Sequence, residues 1–248
     1  MLGIVIQARS GSTRLPNKMN LKFYKESSIL DILISRLKAF FPNTIVVLAT
    51  TENKLDDMLV DRAKSYDIKI FRGSENNVLN RFINACKFYN VNNVVRVCAD
   101  NPFLDMESIK ELIDAFSSSS ADYMSFQTRE GTPSVKTHYG FWAEAVRLSA
   151  LEKVQRLTNE KLYLEHVTNY IYGHPKDFNT EFLSIPEYLN DTEIRLTIDT
   201  KVDFEIAKEL YMEVSNEGDF SIKKIFNKVS ERKDWLEIMS SEIKNQKK

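Results

Sequence analysis

Leu2-Gly3-Ile4-Val5-Ile6-Gln7-Ala8-Arg9-Ser10-Gly11-Ser12-Thr13-Arg14-Leu15-Pro16-Asn17-Lys18 joins an apolar run to a loop crowded with two arginines, a lysine and hydroxyl groups. Leu2 to Gln7 is short, apolar and rich in β-branched residues, so it reads as a buried strand. Strands of that kind belong to mostly parallel sheets covered by helices, and such sheets bind ligands beyond the carboxyl ends of their strands. The loop after Gln7 therefore falls where a ligand would sit. Backbone amides around Gly11 can bend about phosphate oxygens, while arginine and lysine supply charge-assisted donors. The spacing matches neither the Walker pattern G-x-x-x-x-G-K-[ST] nor the dinucleotide fingerprint G-x-G-x-x-G. A polar surface turn with solvated cations is one reading of this loop. The sharper one is a site for a nucleotide triphosphate, with Arg14 and Lys18 as its catalytic cations.

Working outward, short apolar runs alternate with helix-like stretches. Helices are predicted at Ile29 to Phe41, Leu55 to Ser65 and Asn77 to Tyr89, and strands at Thr44 to Ala49, Ile68 to Phe71 and Asn93 to Cys98. The fold class is thus α/β, a Rossmann-like, mostly parallel mixed sheet flanked by helices. Further on, Ile109 to Phe116 reads as a helix, Ser117 to Ser120 as a loop, and Ala121 to Phe126 and His138 to Trp142 as strands around the turn-rich Gly131-Thr132-Pro133, a candidate flap. Leu162 to Tyr172 reads as one helix, Ile194 to Ile198 as a late strand, Phe204 to Tyr211 as a helix capped by Thr200 with Asp203, and Glu231 to Lys248 as a final helix with a charged tail. One domain spanning 1–248 is expected, with a small insertion at about 123–172 as the candidate acceptor-binding and dimerisation segment.

Two aspartates stand at the ends of apolar runs: Asp100 after Val94 to Cys98, and Asp199 after Ile194 to Ile198. Each alone is an ordinary turn or helix-end residue. Together, at strand ends that face one crevice, they can share an octahedral Mg²⁺ and leave positions for phosphate oxygens and water. Asp105 reads as a helix cap.

A chain of 248 residues with 43% hydrophobic and 28% charged residues can bury a large core without staples. A formal net charge of −1, with the cations spread along the chain, argues against a nucleic-acid-coating surface. No apolar segment is long enough to span a bilayer and the N-terminus shows no secretory pattern, so a cytoplasmic protein without membrane insertion is expected. Cys86 and Cys98 lack zinc-site spacing and read as buried thiols.

Three blocks together resemble the cytidylyltransferase superfamily that includes the CMP-Kdo and CMP-sialic acid synthetases, and in particular the branch named for spore coat polysaccharide biosynthesis protein F. They are the Ala-Arg-Ser-Gly-Ser and Arg-Leu-Pro-x-Lys elements of the first loop, Phe71-Arg72-Gly73-Ser74-Glu75-Asn76-Asn77-Val78-Leu79-Asn80-Arg81-Phe82, and Arg96-Val97-Cys98-Ala99-Asp100-Asn101-Pro102-Phe103-Leu104-Asp105. The resemblance covers roughly residues 2 to 210. It implies a GT-A-like nucleotidyltransferase fold, CTP as donor, Mg²⁺ and release of pyrophosphate. It assigns nucleotide binding to Ala8, Arg9, Ser10, Gly11, Arg14, Lys18, Arg72, Gly73, Ser74 and Asp100, and metal binding to Asp100 and Asp199. His138-Tyr139-Gly140-Phe141-Trp142-Ala143 resembles the acceptor-side strand of CMP-Kdo synthetases, and Leu164-Glu165-His166-Val167 the helix that closes the sugar site. His138, Tyr139, Glu165 and Arg195 are therefore the candidate acceptor residues, each weighed against a purely structural role.

Two departures from the family pattern stand out. The usual glycine before the loop lysine is Asn17, which still tolerates a left-handed backbone. The usual Asp-Thr-Pro-Glu-Asp-Leu-Glu appears as Asp199-Thr200-Lys201-Val202-Asp203-Phe204-Glu205, which keeps Asp199 and loses the proline. The resemblance predicts transfer of CMP to a sugar-like acceptor, a 3-deoxy-2-keto sugar acid first among them, in surface glycan assembly. The alternatives are a nucleotide-sugar-dependent glycosyltransferase on the same fold and a non-catalytic nucleotide-binding protein. A homodimer through 123–172 is expected, with Trp142, Leu164 and Val167 forming either its interface or simply core.

Overall fold

A computed structural model describes residues 1–190 and 192–245. Strand β1 (Leu2–Gln7) lies inside the sheet, with helix α1 (Ile29–Phe40), β2 (Ile45–Thr51), α2 (Asp57–Ser65), β3 (Lys69–Gly73), α3 (Val78–Phe88) and β4 (Asn93–Cys98) following in alternation. The second half supplies α4 (Met106–Ser118), β5 (Tyr123–Gln127), β6 (Glu144–Arg147), α5 (Leu148–Leu157), α6 (Lys161–Glu165), α7 (Asn169–Gly173), β7 (Thr180–Ser184), α8 (Lys201–Glu217), α9 (Ile222–Ser230) and α10 (Lys233–Asn245). The expected tail at 246–248 lies outside the described residues.

The seven strands run in the order β3-β2-β1-β4-β6-β5-β7. β1 pairs parallel with both β2 and β4, so the chain reverses its direction of growth across β1, and the carboxyl ends of β1 and β4 flank the resulting crevice. Only β6 runs against the rest: it pairs antiparallel with β4 and β5, and β7 rejoins β5 in parallel. Two cores flank this mixed sheet. Ile4, Ile6, Val95 and Val97 face α1, α4 and α8, while Val5, Val94, Tyr123 and Val146 face α3 and α5. The alternation within β1 and β4 explains the continuous apolar runs, since both sides are covered.

The second half departs from the sequence-based expectation in four places. Residues 138–142 form no strand. Gly140 takes φ +69°, where a Cβ would stand 3.3 Å from Asn101 Oδ1 and the Leu196 carbonyl, and the Phe141 carbonyl accepts from Asp105 N–H. The strand of this region is instead Glu144–Arg147. Residues 194–198 are likewise irregular: Leu196 and Thr197 N–H both donate to the His138 carbonyl, and Ile198 N–H donates to that of Asp100. The single helix expected at 162–172 is broken at His166, because Val167 turns into the core and Thr168 turns its hydroxyl to Glu144. Finally, the loop expected at Ser117 begins two residues late, since α4 runs through Ser118. No helix among the described residues is long and apolar enough to cross a membrane. Trp142 and Val167 are buried within the chain, which places them in core.

Candidate active site

The basic loop is held open by packing and one buried carboxylate. Leu15 and Met19 anchor it in the core, and Asn17 takes φ +56°, the left-handed conformation its side chain tolerates. Asp56 accepts from Ser10 N–H at 2.6 Å, from the Thr50 and Thr51 hydroxyls at 2.9 and 2.5 Å, and from Thr51 N–H at 3.1 Å. Burial alone would raise this carboxyl's pKa, but the four donors outweigh it and hold the pKa below the usual range. Asp56 thereby fastens the loop after β1 to the end of β2. Its place in the polar run Thr50 to Asp57 offered no signal in the sequence.

Lys18 and Arg14 project from this loop toward the two aspartates. Lys18 Nζ lies 3.1 Å from Asp100 Oδ2 and 3.5 Å from Asp199 Oδ1, and donates to the Ile198 carbonyl at 2.5 Å. Arg14 Nη2 lies 3.1 Å from Asp199 Oδ1, with its side chain half exposed. Burial would lower the Lys18 pKa; the paired carboxylates more than offset it and hold the ammonium above its ordinary value. Two carboxylates thus converge on one cation from opposite sides of the crevice. Such a pair of hard oxygen ligands, with the Asn101 Oδ1 nearby buried and unpartnered, fits a divalent cation that takes its other ligands from phosphate and water. No group of three or more His, Cys, Asp or Glu among the described residues could cage a metal alone.

Asp199 is held in place from behind. Arg195, fully buried, forms a fork on Asp203 at 2.8 and 2.9 Å, reaches Asp199 Oδ2 at 3.3 Å and donates to His138 Nδ1 at 2.7 Å. Thr200 and Asp203 complete the expected capping box of α8. Arg195 and His138 therefore lie buried beneath the aspartates. Tyr139 is also buried, donating through its hydroxyl to the Leu189 carbonyl at 2.6 Å. Glu165 stands at the rim, 3.5 Å from Arg9 Nη2.

A cavity of about 580 Å³ opens beside the carboxylates. Arg14, Asp100, Asn101 and Asp199 line it together with Gln7, Arg96, Cys98, Lys136, Gly140, Trp142, Glu144, His166, Thr168 and Tyr172. The acceptor-side blocks thus reach the cavity through Gly140, Trp142 and His166, next to the residues expected from sequence. Cys86 is buried as expected, whereas Cys98 is part-exposed on the cavity wall.

On the other side of the basic loop, the residue 72–75 segment comes within contact of Gly11, where a Cβ would stand 3.2 Å from Glu75 Oε1. Arg72 faces away, donating to the Thr51 and Asn53 carbonyls at 2.8 Å and pairing with Asp57 at 2.7 Å. The cation beneath Ser74 is Arg81, whose Nη1 donates to the Ser74 carbonyl at 2.7 Å while Nε and Nη2 are buried without partners. Gly73 makes room for its stem, since a Cβ there would stand 3.2 Å from Arg81 Cγ. Burial and the neighbouring Arg9 lower the Arg81 pKa to about 10.

A parallel-centred sheet with a cationic loop after its first strand and paired carboxylates across the crevice defines a nucleotidyltransferase. The comparisons with known proteins make this specific: the family model for cytidylyltransferase matches residues 3–230, and the chain belongs to that family. It is 34% identical over 235 residues to spore coat polysaccharide biosynthesis protein SpsF of Bacillus subtilis, covering 93% of this chain and 94% of that one. A solved cytidylyltransferase from Leptospira borgpetersenii superposes with TM-score 0.81 at 30% identity, over 95% of this chain and 96% of the other. A CMP:2-keto-3-deoxy-manno-octonic acid synthetase complexed with CTP shares the fold, with TM-score 0.64 at 13% identity over 86% and 98% of the two chains.

Proposed function

We propose that this protein transfers CMP from CTP to a hydroxyl of a sugar-like acceptor and releases pyrophosphate. The observation that carries the reading is the convergence of Lys18 and Arg14 on Asp100 and Asp199 at the mouth of the cavity. A plain glycosyltransferase has no triphosphate to manage, and two cations on the first loop suit one.

In this reading the loop from Ala8 to Lys18 receives the triphosphate, with Arg9, Ser10 and Gly11 on the side of Gly73, Ser74 and Arg81. Asp100 and Asp199 would hold Mg²⁺, which when bound neutralises phosphate charge. Arg14 and Lys18 stabilise the charge that develops as the acceptor oxygen attacks the α phosphorus and the bond to the β-phosphate bridging oxygen breaks. The remaining contribution is positioning, with no covalent enzyme intermediate. The acceptor occupies the cavity, where Lys136 places an ammonium 5.1 Å from the centre of the Tyr172 ring, a fitting partner for the carboxylate of a 3-deoxy-2-keto sugar acid. We assign the product to surface glycan assembly, on the likeness to SpsF, and a homodimer through 123–172 remains part of the proposal.

Pyrophosphate release measured with each nucleoside triphosphate and Mg²⁺, across keto-sugar acids, neutral sugars and polyol phosphates, tests it. A signal confined to CTP and one acceptor class is expected. Folded, nucleotide-binding protein that releases none with any acceptor would move the reading to a glycosyltransferase or a binding protein.

A further inference from the structure

One side of the sheet carries a row of polar side chains that the phosphate chemistry leaves unused. Arg96 on β4 and Glu144 on β6 are direct cross-strand partners, and Gln7 on β1 is paired with Cys98, two positions along β4 from Arg96. Register therefore puts Gln7, Arg96 and Glu144 on one face of three neighbouring strands, with Gln7 diagonal to Arg96, on the face that lines the cavity. Arg96 bonds Glu144 Oε2 through Nη1 and donates to Gln7 Oε1 through Nε at 3.2 Å and Nη2 at 3.0 Å. Glu144 Oε1 accepts from the Tyr123 hydroxyl at 2.5 Å and the Thr168 hydroxyl at 2.9 Å.

Arg96 and Glu144 are both more than nine-tenths buried. A buried ion pair of this kind is a weak source of stability, since an apolar pair of similar volume serves as well or better. What the network does accomplish is to set the sense of every polar group around it. Arginine only donates, so Gln7 must turn its oxygen to Arg96 and its amide N–H groups away. An ionised Glu144 only accepts, so the Thr168 proton points to it and the Thr168 lone pairs point elsewhere. Tyr172, on the same wall, carries a phenolic O–H at neutral pH, as an ordinary tyrosine does. The wall thus offers an amide donor, a hydroxyl acceptor and a hydroxyl donor, a set suited to neighbouring alcohol groups. Arg96 lies two residues, about 6–7 Å, deeper along β4 than Cys98, and Asp100 follows beyond the strand end, so the ion pair is set back from the carboxylates.

We infer that Gln7, Thr168 and Tyr172 read the hydroxyl groups of a polyhydroxylated acceptor, and that the Arg96–Glu144 pair is the positioning element that fixes their donor and acceptor senses. This rests on the reading of the cavity as the acceptor's place. It assigns acceptor specificity to residues other than the four candidates His138, Tyr139, Glu165 and Arg195.

Calorimetric binding of two keto acids of equal length tests it: 2-keto-3-deoxy-octonate, which carries hydroxyls, and 2-oxooctanoate, which carries none, each in the presence of CTP. The wild-type protein should bind the first at least tenfold tighter. Thr168→Val and Tyr172→Phe should each weaken it five- to fiftyfold and leave CTP affinity within twofold, while Thr168→Ser, which keeps the hydroxyl, should restore binding. Glu144→Gln should collapse the ratio between the two acids, a change that lowered stability alone does not produce. Equal binding of the two acids, or full affinity in Thr168→Val and Tyr172→Phe, overturns the inference. So does failure of the hydroxylated acid to bind while CTP binds normally. Failure of the wild-type protein to bind CTP would instead sink the underlying cytidylyltransferase reading.

Discussion

Lys18 and Asp100 stand 82 positions apart in the chain and meet at 3.1 Å, with Asp199 closing on the same ammonium at 3.5 Å. The first loop, the end of β4 and the run before α8 thereby share one point of charge. In the proposed reaction phosphate oxygens would take up the cations and leave the carboxylates to the metal.

Lys18→Met is expected to lower kcat by about 10²–10³, the usual loss for one donor aimed at developing charge. CTP affinity should fall much less, because Arg14 and the loop amides remain. Single-turnover kinetics beside equilibrium CTP binding separate the two effects. An equal loss in both would make Lys18 a ground-state binder only.

Asp100→Asn should abolish metal-dependent turnover while leaving the fold intact, since Asp100 is part-exposed and Lys18 keeps Asp199 and the Ile198 carbonyl as partners. A titration of rate against Mg²⁺ checks it, and undiminished turnover at ordinary metal concentration would remove Asp100 from the metal site.

Asp56 makes the stability of the loop anchor pH-dependent. Its folded-state pKa is depressed, so its stabilising contribution is present above the ordinary aspartate value and is lost as pH falls through the folded value. Asp56→Asn should cost about 2 kcal/mol or more at pH 7, in line with hydrogen bonds to a charged group. The gap from wild type should close progressively below about pH 4. Urea unfolding of both proteins from pH 7 to 3 gives the comparison; a constant gap would show that the carboxylate's charge is not what matters.

Arg195→Met leaves Asp203 and His138 buried without their partner and should cost about 3–5 kcal/mol. Thermal and urea unfolding measure this directly. Unchanged stability with a selective rise in acceptor KM would return Arg195 to direct acceptor binding.

Lys136→Met should raise KM for an acidic acceptor about tenfold or more and leave KM for CTP unchanged. Initial rates at saturating CTP provide the check, and an unaltered acceptor KM would place the acceptor's anionic group elsewhere.

The first half of the chain was legible because its strands are mostly apolar, with Arg72 and Arg96 as interruptions, and its helices carry apolar stripes. Leu2 to Gln7 appears with the bounds expected, and Asn17 takes the left-handed backbone that its side chain allows. Legibility failed where tertiary contacts override local pattern. Residues 138–142 alternate like a strand, yet Gly140 turns the chain and the Leu196 backbone takes the space a pleat would need. Leu162 to Tyr172 has helical spacing, yet burial of Val167 and the bond from Thr168 to Glu144 break it. β6 and β7 are short, and their polar residues hide them from a search for apolar runs. At the site, the motifs single out Arg14, Lys18, Asp100 and Asp199, and the structure brings these four side chains together. The Arg96–Glu144 row depends on strand register, which single-sequence periodicity does not reveal.

The most direct test of cytidylyl transfer is to follow CTP labelled at the α phosphorus through a reaction with Mg²⁺ and a keto-sugar acid, with mass analysis of the products. The label should appear in an acceptor–CMP conjugate, with one pyrophosphate released per conjugate formed. Label remaining in CTP, while the same protein transfers sugar from a nucleotide sugar with release of the nucleotide, would contradict the account.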